Sequence, residues 1–260
     1  MDGPELVDKG PTLSVPVKTA GEIQGRNLIV RIADDDDLAL LDGLDPDRVA
    51  WLEVPLGLAH REELNRFAVD VLLTDPVQQA ADLYPLAGLR EPNLPRLSIP
   101  TTPNFADAVT VGMALHFPIR LIPIQPDSEA VSGMARALER YLHDANVSQP
   151  VEPFYSALTT LLLGESDTLW DAVEYDPSSY RCEPPRPGLE TEDAVPSRLK
   201  ELVESDAECA GCPLKSWCAG WFKWPDAGYD CGPVRQLFDT VEKAAAQMQE
   251  DLTQAVEANP

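Results

Sequence analysis

The chain has 260 residues, 44% hydrophobic and 25% charged, the composition of a folded globular protein with room for one large domain or a medium and a small one. Its 44 acidic and 20 basic residues leave a formal net charge of −24, a field that repels nucleic acid and anionic membrane surfaces. We read the excess first as an adaptation to solubility or salt, and second as an attraction for a basic protein partner.

The opening "MDGPELVDKGPTLSVP" lacks the cationic segment and apolar run of a secretory signal. The most apolar stretches, "LTTLLLG" and "IRLIPIQP", fall far short of a membrane span. A soluble, cytoplasmic protein is the expectation.

Residues 1–24 are polar with turn formers and read as an N-terminal arm. A rhythm then begins. "NLIVRIA" (27–33), "VAWLEVPLG" (49–57), "VDVLLTD" (69–75), "PRLSIPTTP" (95–103) and "IRLIPIQP" (119–126) are apolar, β-branched runs that predict strands. Helical spacing separates them in "AHREELNRFA", in "PVQQAADLYPLAGL" with Pro76 in its first turn, in "NFADAVTVGMALHF" with Asn104 as a candidate cap, and in "SEAVSGMARALERYLHDA".

Strands alternating with helices every twenty to twenty-five residues predict an α/β fold with parallel strands covered on both faces. Five units are too few for an eight-stranded barrel, so an open parallel sheet or partial βα barrel over residues 25–174 is expected. Prolines 55, 100, 103, 123 and 126 suit strand ends.

After residue 150 the rhythm stops. "VEPFYSALTTLLLG" predicts a helix ended by Gly164, residues 175–197 form a proline-rich connection, and "SRLKELVES" predicts a short helix capped by Ser197. A cysteine segment follows, then a long helix from Pro233. Residues 175–260 are thus a linker and a small cysteine module.

Four of the five cysteines, Cys209, Cys212, Cys218 and Cys231, give C-x2-C-x5-C-x12-C. Clustered cysteines in a chain of this size read as metal ligands, not as a disulfide scaffold. A C-x-x-C pair grips one centre from a single turn, with Gly211 easing the backbone. Two more thiolates complete tetrahedral zinc or the corners of a 4Fe–4S cluster. The aromatic shell of Trp217, Trp221, Phe222 and Trp224 favours the cluster, since it would keep water away; zinc stays as the alternative.

The segment "CAGCPLKSWCAGWF…YDCGPVRQLF" resembles the C-terminal end of the SPASM domain, the auxiliary-cluster domain of many radical SAM enzymes that modify peptides. The resemblance implies that Cys209, Cys212, Cys218 and Cys231 bind that domain's second auxiliary cluster. Phe222 stands where the family has a cysteine for the first cluster. Upstream only Cys182 remains, with Pro177 where the family has glycine. No cysteine precedes Cys182, so the C-x3-C-x2-C that cleaves S-adenosylmethionine is missing.

The resemblance therefore implies a degenerate radical SAM-like body with one 4Fe–4S cluster. Its expected role is that of an accessory to a separate radical SAM enzyme, transferring electrons or presenting a peptide substrate, and not of an autonomous enzyme. A zinc- or cluster-stapled structural protein is the contrasting reading.

Elsewhere, Asp34–Asp37 read as a solvated acidic loop before a cation site. Thr101, Thr102 and Asn104 lie at a strand end where βα folds place ligands. His60, His116 and His143 read as ordinary histidines remote from the cysteines, and Cys182 as a lone thiol with a second reading as an alternative ligand.

Overall fold

The structure is a computed structural model that describes residues 13–21, 28–89, 94–164, 168–173, 194–205, 208–224 and 226–258. Seven strands form one open sheet: β1 Leu13–Pro16, β2 Leu28–Arg31, β3 Val49–Pro55, β4 Val69–Leu72, β5 Arg96–Pro100, β6 Ile119–Ile122 and β7 Val151–Glu152. Every neighbouring pair is parallel, and the strands follow one another in chain order. Parallel crossovers are right-handed, so an order that never reverses carries successive connections to one face.

The period-two alternation of strands gives the two faces different chemistry. One face carries Val30, Leu52, Val54, Val71, Leu97, Ile99, Ile119, Leu121 and Val151, all buried in the main core. The Ala106–Ala114 helix packs here: a Cβ on its Gly112 would lie 3.0 Å from Leu97 and 3.1 Å from Ile119. The Ser128–His143 helix lies beside it, and the Gly232–Ala258 helix packs against Ser128–His143 and Phe154–Leu163.

The opposite face is covered as well, as expected, but its buried lining is largely polar instead of continuously apolar. Parallel register sets Arg31 beside Glu53, Glu53 beside Asp70, Asp70 beside Arg96, Ser98 beside Arg120, and Arg120 beside Glu152. Asp70 is fully buried. Arg96 Nη2 donates to its Oδ2 at 3.0 Å, Ser98 Oγ donates to Oδ1 at 2.5 Å, and Arg120 Nη2 lies 2.5 Å from Oδ2. Arg120 Nε donates to Ser98 Oγ at 2.7 Å and its Nη1 to the Val173 carbonyl at 3.0 Å. The Arg96 guanidinium stacks 3.7 Å from the Trp51 ring centre.

Burial alone would raise the Asp70 carboxyl, but Arg120 and Arg96 hold it below the usual carboxylate range. The helix Leu169–Val173 thus covers this charged face through its last carbonyl.

Several local expectations change. Residues 13–21, inside the segment read as an arm, supply edge strand β1 and one helical turn, and β7 is a two-residue strand beyond the recognised rhythm. "AHREELNRFA" holds only a 3-10 turn at Glu62–Leu64. The helix after β4 stops at Gln79 and continues as a 3-10 run, because Pro85 has no amide for an α-helical bond.

Asn104 does not cap; it takes a left-handed φ of 62°, and the helix starts behind Phe105. Ser197 lies inside the Ala194–Glu204 helix instead of capping it. Pro76 in the first turn, Gly164 as a left-handed stop at φ 71° and the long terminal helix stand as expected. No described helix is long and apolar enough to cross a membrane.

Candidate functional site

The cysteine segment folds as a chain of tight turns. Glu208–Gly211 is a 3-10 turn that carries Cys209, and the Cys212 amide closes back onto the Cys209 carbonyl at 3.2 Å. Gly211 is not required by this geometry: its φ lies outside the left-handed region and a Cβ there meets nothing within 4 Å.

The short Lys215–Cys218 helix brings Cys218 round, and its amide donates to Leu214 at 2.8 Å. Two left-handed residues, Ala219 at φ 47° and Gly220 at φ 80°, then reverse the chain. The reversal brings the Gly220 and Phe222 amides to the side of Cys218, where they offset part of the burial that raises its thiol. Cys231 sits immediately before the Gly232–Ala258 helix.

All four predicted cysteines come together, lining one cavity of about 30 Å³ walled otherwise by Trp217, Phe222, Val234, Lys223 and Arg235 among others. None forms a disulfide. Among the described residues, no three His, Cys, Asp or Glu side chains are placed to hold a single metal ion. His60, His116 and His143 do not line this cavity. His116 faces Ser148 at 3.3 Å and His143 faces Glu139 at 3.8 Å. Cys182 and Pro177 lie outside the described residues.

A partly buried ion cluster stands in the cavity wall, and the sequence reading missed it. Lys223, 5% exposed, places its Nζ 2.9 Å from Glu208 Oε2 and also donates to the Tyr229 carbonyl. Arg235 Nη2 meets Glu208 Oε1 at 2.9 Å, and the Cys231 amide donates to Glu208 at 3.3 Å. The set of Lys223, Arg235 and Glu208 carries a net positive charge beside the sulfurs.

Burial pushes the Cys218 thiol up to about 11 and the Cys231 thiol up to about 12, and raises Cys209 as well. Lys223 works against burial at Cys209 and Cys231. Thiols raised in this way are protonated at neutral pH, which is the opposite of an activated nucleophile.

The module sits on the loop at the C-terminal end of β6. Trp221 Nε1 donates to the Pro123 carbonyl at 2.8 Å, Tyr229 donates to Pro126 at 2.6 Å, and Gln125 Nε2 donates to Phe222 and Asp226 at 3.3 and 2.7 Å. Trp170 Nε1 donates to Ala219 at 3.1 Å, and its ring meets Trp221 edge-on at 4.8 Å. These aromatic contacts merge the module with the sheet's core.

The other sequence candidates hold no comparable site. Asp34 accepts from the Asp36 and Asp37 amides as a helix cap, and Asp37 is buried against the Ala33 amide at 2.9 Å and Lys18 at 3.1 Å. Of the acidic run, Asp34, Asp35 and Asp36 are exposed as expected. Thr101 bonds back to the Ile122 carbonyl of the neighbouring strand.

Fold and site together define an open parallel α/β protein with a thiol-lined cavity at the C-terminal rim of its sheet. The chain matches no protein-family model, no curated protein and no solved structure.

Proposed function

We propose that Cys209, Cys212, Cys218 and Cys231 hold one 4Fe–4S cluster, and that the protein is a SPASM-like accessory of a separate radical SAM enzyme acting on a peptide. The observation that carries this reading is the convergence of four thiols and the buried Lys223 on one small cavity. A 4Fe–4S cluster takes its four thiolates on four different irons, so it asks for sulfurs spread around a cavity. Thiolate ligation of iron and sulfide leaves an anionic group, which the positive excess of Lys223 and Arg235 over Glu208 would offset.

Two further features fit. The Gly220 and Phe222 amides favour the charged form of Cys218 against the effect of burial. Trp217, in the cavity wall, has a buried Nε1 without an acceptor among the described residues, a donor that a bound sulfide could satisfy. When bound, such a cluster supplies one-electron transfer. The residues around it bind it, balance its charge and exclude water. The unreversed parallel strand order supports kinship with a partial βα barrel. The cysteine spacing, with Phe222 in place of a further ligand, supports the one-cluster SPASM relation. Zinc on the same thiols, stapling the module for structure alone, is the competing outcome.

Anaerobic purification followed by iron, sulfide and zinc analysis tests the reading. About four irons and four sulfides per chain, with a visible absorption bleached by dithionite, are expected. One zinc and no colour would overturn it. Cys209→Ala should lose most of the iron, and full retention would remove Cys209 from the ligand set.

A further inference from the structure

We propose that the overhanging end of the Gly232–Ala258 helix, with the adjoining Phe154–Leu163 helix, is a docking surface for a basic amphipathic helix of a partner protein. Nine large hydrophobic side chains are exposed among the described residues, and six of them, Tyr155, Leu161, Leu163, Met248, Leu252 and Val256, lie on these two helices. Scattered exposed apolar side chains are ordinary, whereas Met248, Leu252 and Val256 share one face of the terminal helix, a concentration that marks an interaction site.

The stripe has a clear origin. Val234, Phe238, Val241 and Ala245 face the core at helical spacing. Met248, Leu252 and Val256 continue the same face beyond the body, with Leu252 62% and Val256 73% exposed. From Ala245 to Val256 the helix runs about 16 Å. Gln249 Nε2 donates to the Leu161 carbonyl at 3.3 Å, which ties the two helices into one surface.

A groove of about 420 Å³ opens beside it, lined by Tyr141, Tyr155, Leu158 and Met248 among others. It is large enough for an aromatic or aliphatic anchor, the usual centre of a helix-in-groove contact. Burial and then the nearby Glu152 carboxylate push Tyr141 up to about 12, so the phenol in the groove wall stays neutral.

Charge selects the occupant. After Lys243 the chain contains no lysine or arginine; Asp251 borders the stripe and Glu250 lies on the far side of the same helix. A second copy would bring the same carboxylates against these and a net charge of −24 against itself. A helix with a leucine-type stripe and lysine or arginine flanks complements both the apolar and the acidic features.

The test titrates the full chain with a labelled synthetic amphipathic leucine/lysine peptide of about 18 residues, against an isohelical leucine/glutamate control. Saturable binding of the basic peptide alone is expected, weakened about tenfold or more in Leu252→Ser/Val256→Ser. Both substitutions are at exposed sites, and circular dichroism verifies that the variant is folded. Absence of saturable binding at low salt would sink the proposal. Equal binding by the double variant would reduce it to charge attraction. A wild-type dimer that the double variant dissolves would assign the face to a second copy.

Discussion

Lys223 Nζ lies 2.9 Å from the Glu208 carboxylate, in the wall of the cavity that the four cysteines line. A buried lysine is rare unless it is paired, and this one is paired on one side while the thiols stand on the other. Replacing it with Lys223→Met leaves Glu208 with Arg235 alone. We expect a stability loss of about 1–3 kcal/mol in urea unfolding, less than for an isolated buried charge because Arg235 remains. If the proposed cluster is bound, the variant should also release its iron faster to a chelator. Unchanged stability together with unchanged metal retention would remove Lys223 from the site.

The charged face of the sheet makes a sharper prediction. Asp70 joins Arg96 and Arg120 with none of its surface exposed. Asp70→Asn leaves two guanidiniums with reduced compensation in a buried setting, and a loss of about 3–5 kcal/mol is expected from denaturant unfolding. A loss under about 1 kcal/mol, the range of an exposed ion pair, would show that the network is solvated.

The same carboxylate sets a direction for pH. Asp70, and Asp37 held by the Ala33 amide, have pKa values below their ordinary value. Their unfolded forms therefore bind protons first, and stability rises with pH through this window. The contribution is complete above about pH 4, the unfolded carboxylate pKa, and disappears as the pH falls through the depressed folded values. Denaturation midpoints measured from pH 5 downward should fall, with a shallower slope in Asp70→Asn. Equal slopes would assign the acid lability to other groups.

Gly220 governs the turn that follows Cys218. At φ 80° a side chain is strained, and a Cβ there would stand 3.0 Å from Leu202 Cδ1. Gly220→Ala should cost about 1–2 kcal/mol from the left-handed backbone alone and should lower metal content. Metal content equal to that of the wild type would show that the turn tolerates the methyl group.

Much of the architecture could be read from the chain because each strand is a dense apolar run ended by proline or acidic residues. The edges could not. Leu13–Pro16 and Val151–Glu152 are too short to show a period, and their parallel neighbours hold them in the sheet. The polar face was missed although its signal was present. Arg31, Glu53, Asp70, Arg96, Arg120 and Glu152 each interrupt an otherwise apolar strand, and only register shows that they adjoin. At the site, cysteine spacing marked the four thiols. Lys223 and Arg235 looked like surface charges, because nothing local reveals that Glu208 draws both into the cavity wall.

The anchoring of the cysteine module has a kinetic consequence. Its indole, phenol and backbone ties to Pro123, Gln125 and Pro126 join residues about a hundred positions apart. Such closures form only after β6 and its loop are in place, since the entropy of a long loop must be met by a surface ready to receive it. Docking of the module therefore depends on a finished sheet, although the four cysteines themselves lie within 23 residues of one another. A fragment limited to residues 194–258 would keep all four cysteines and lack the surface on which they are seated.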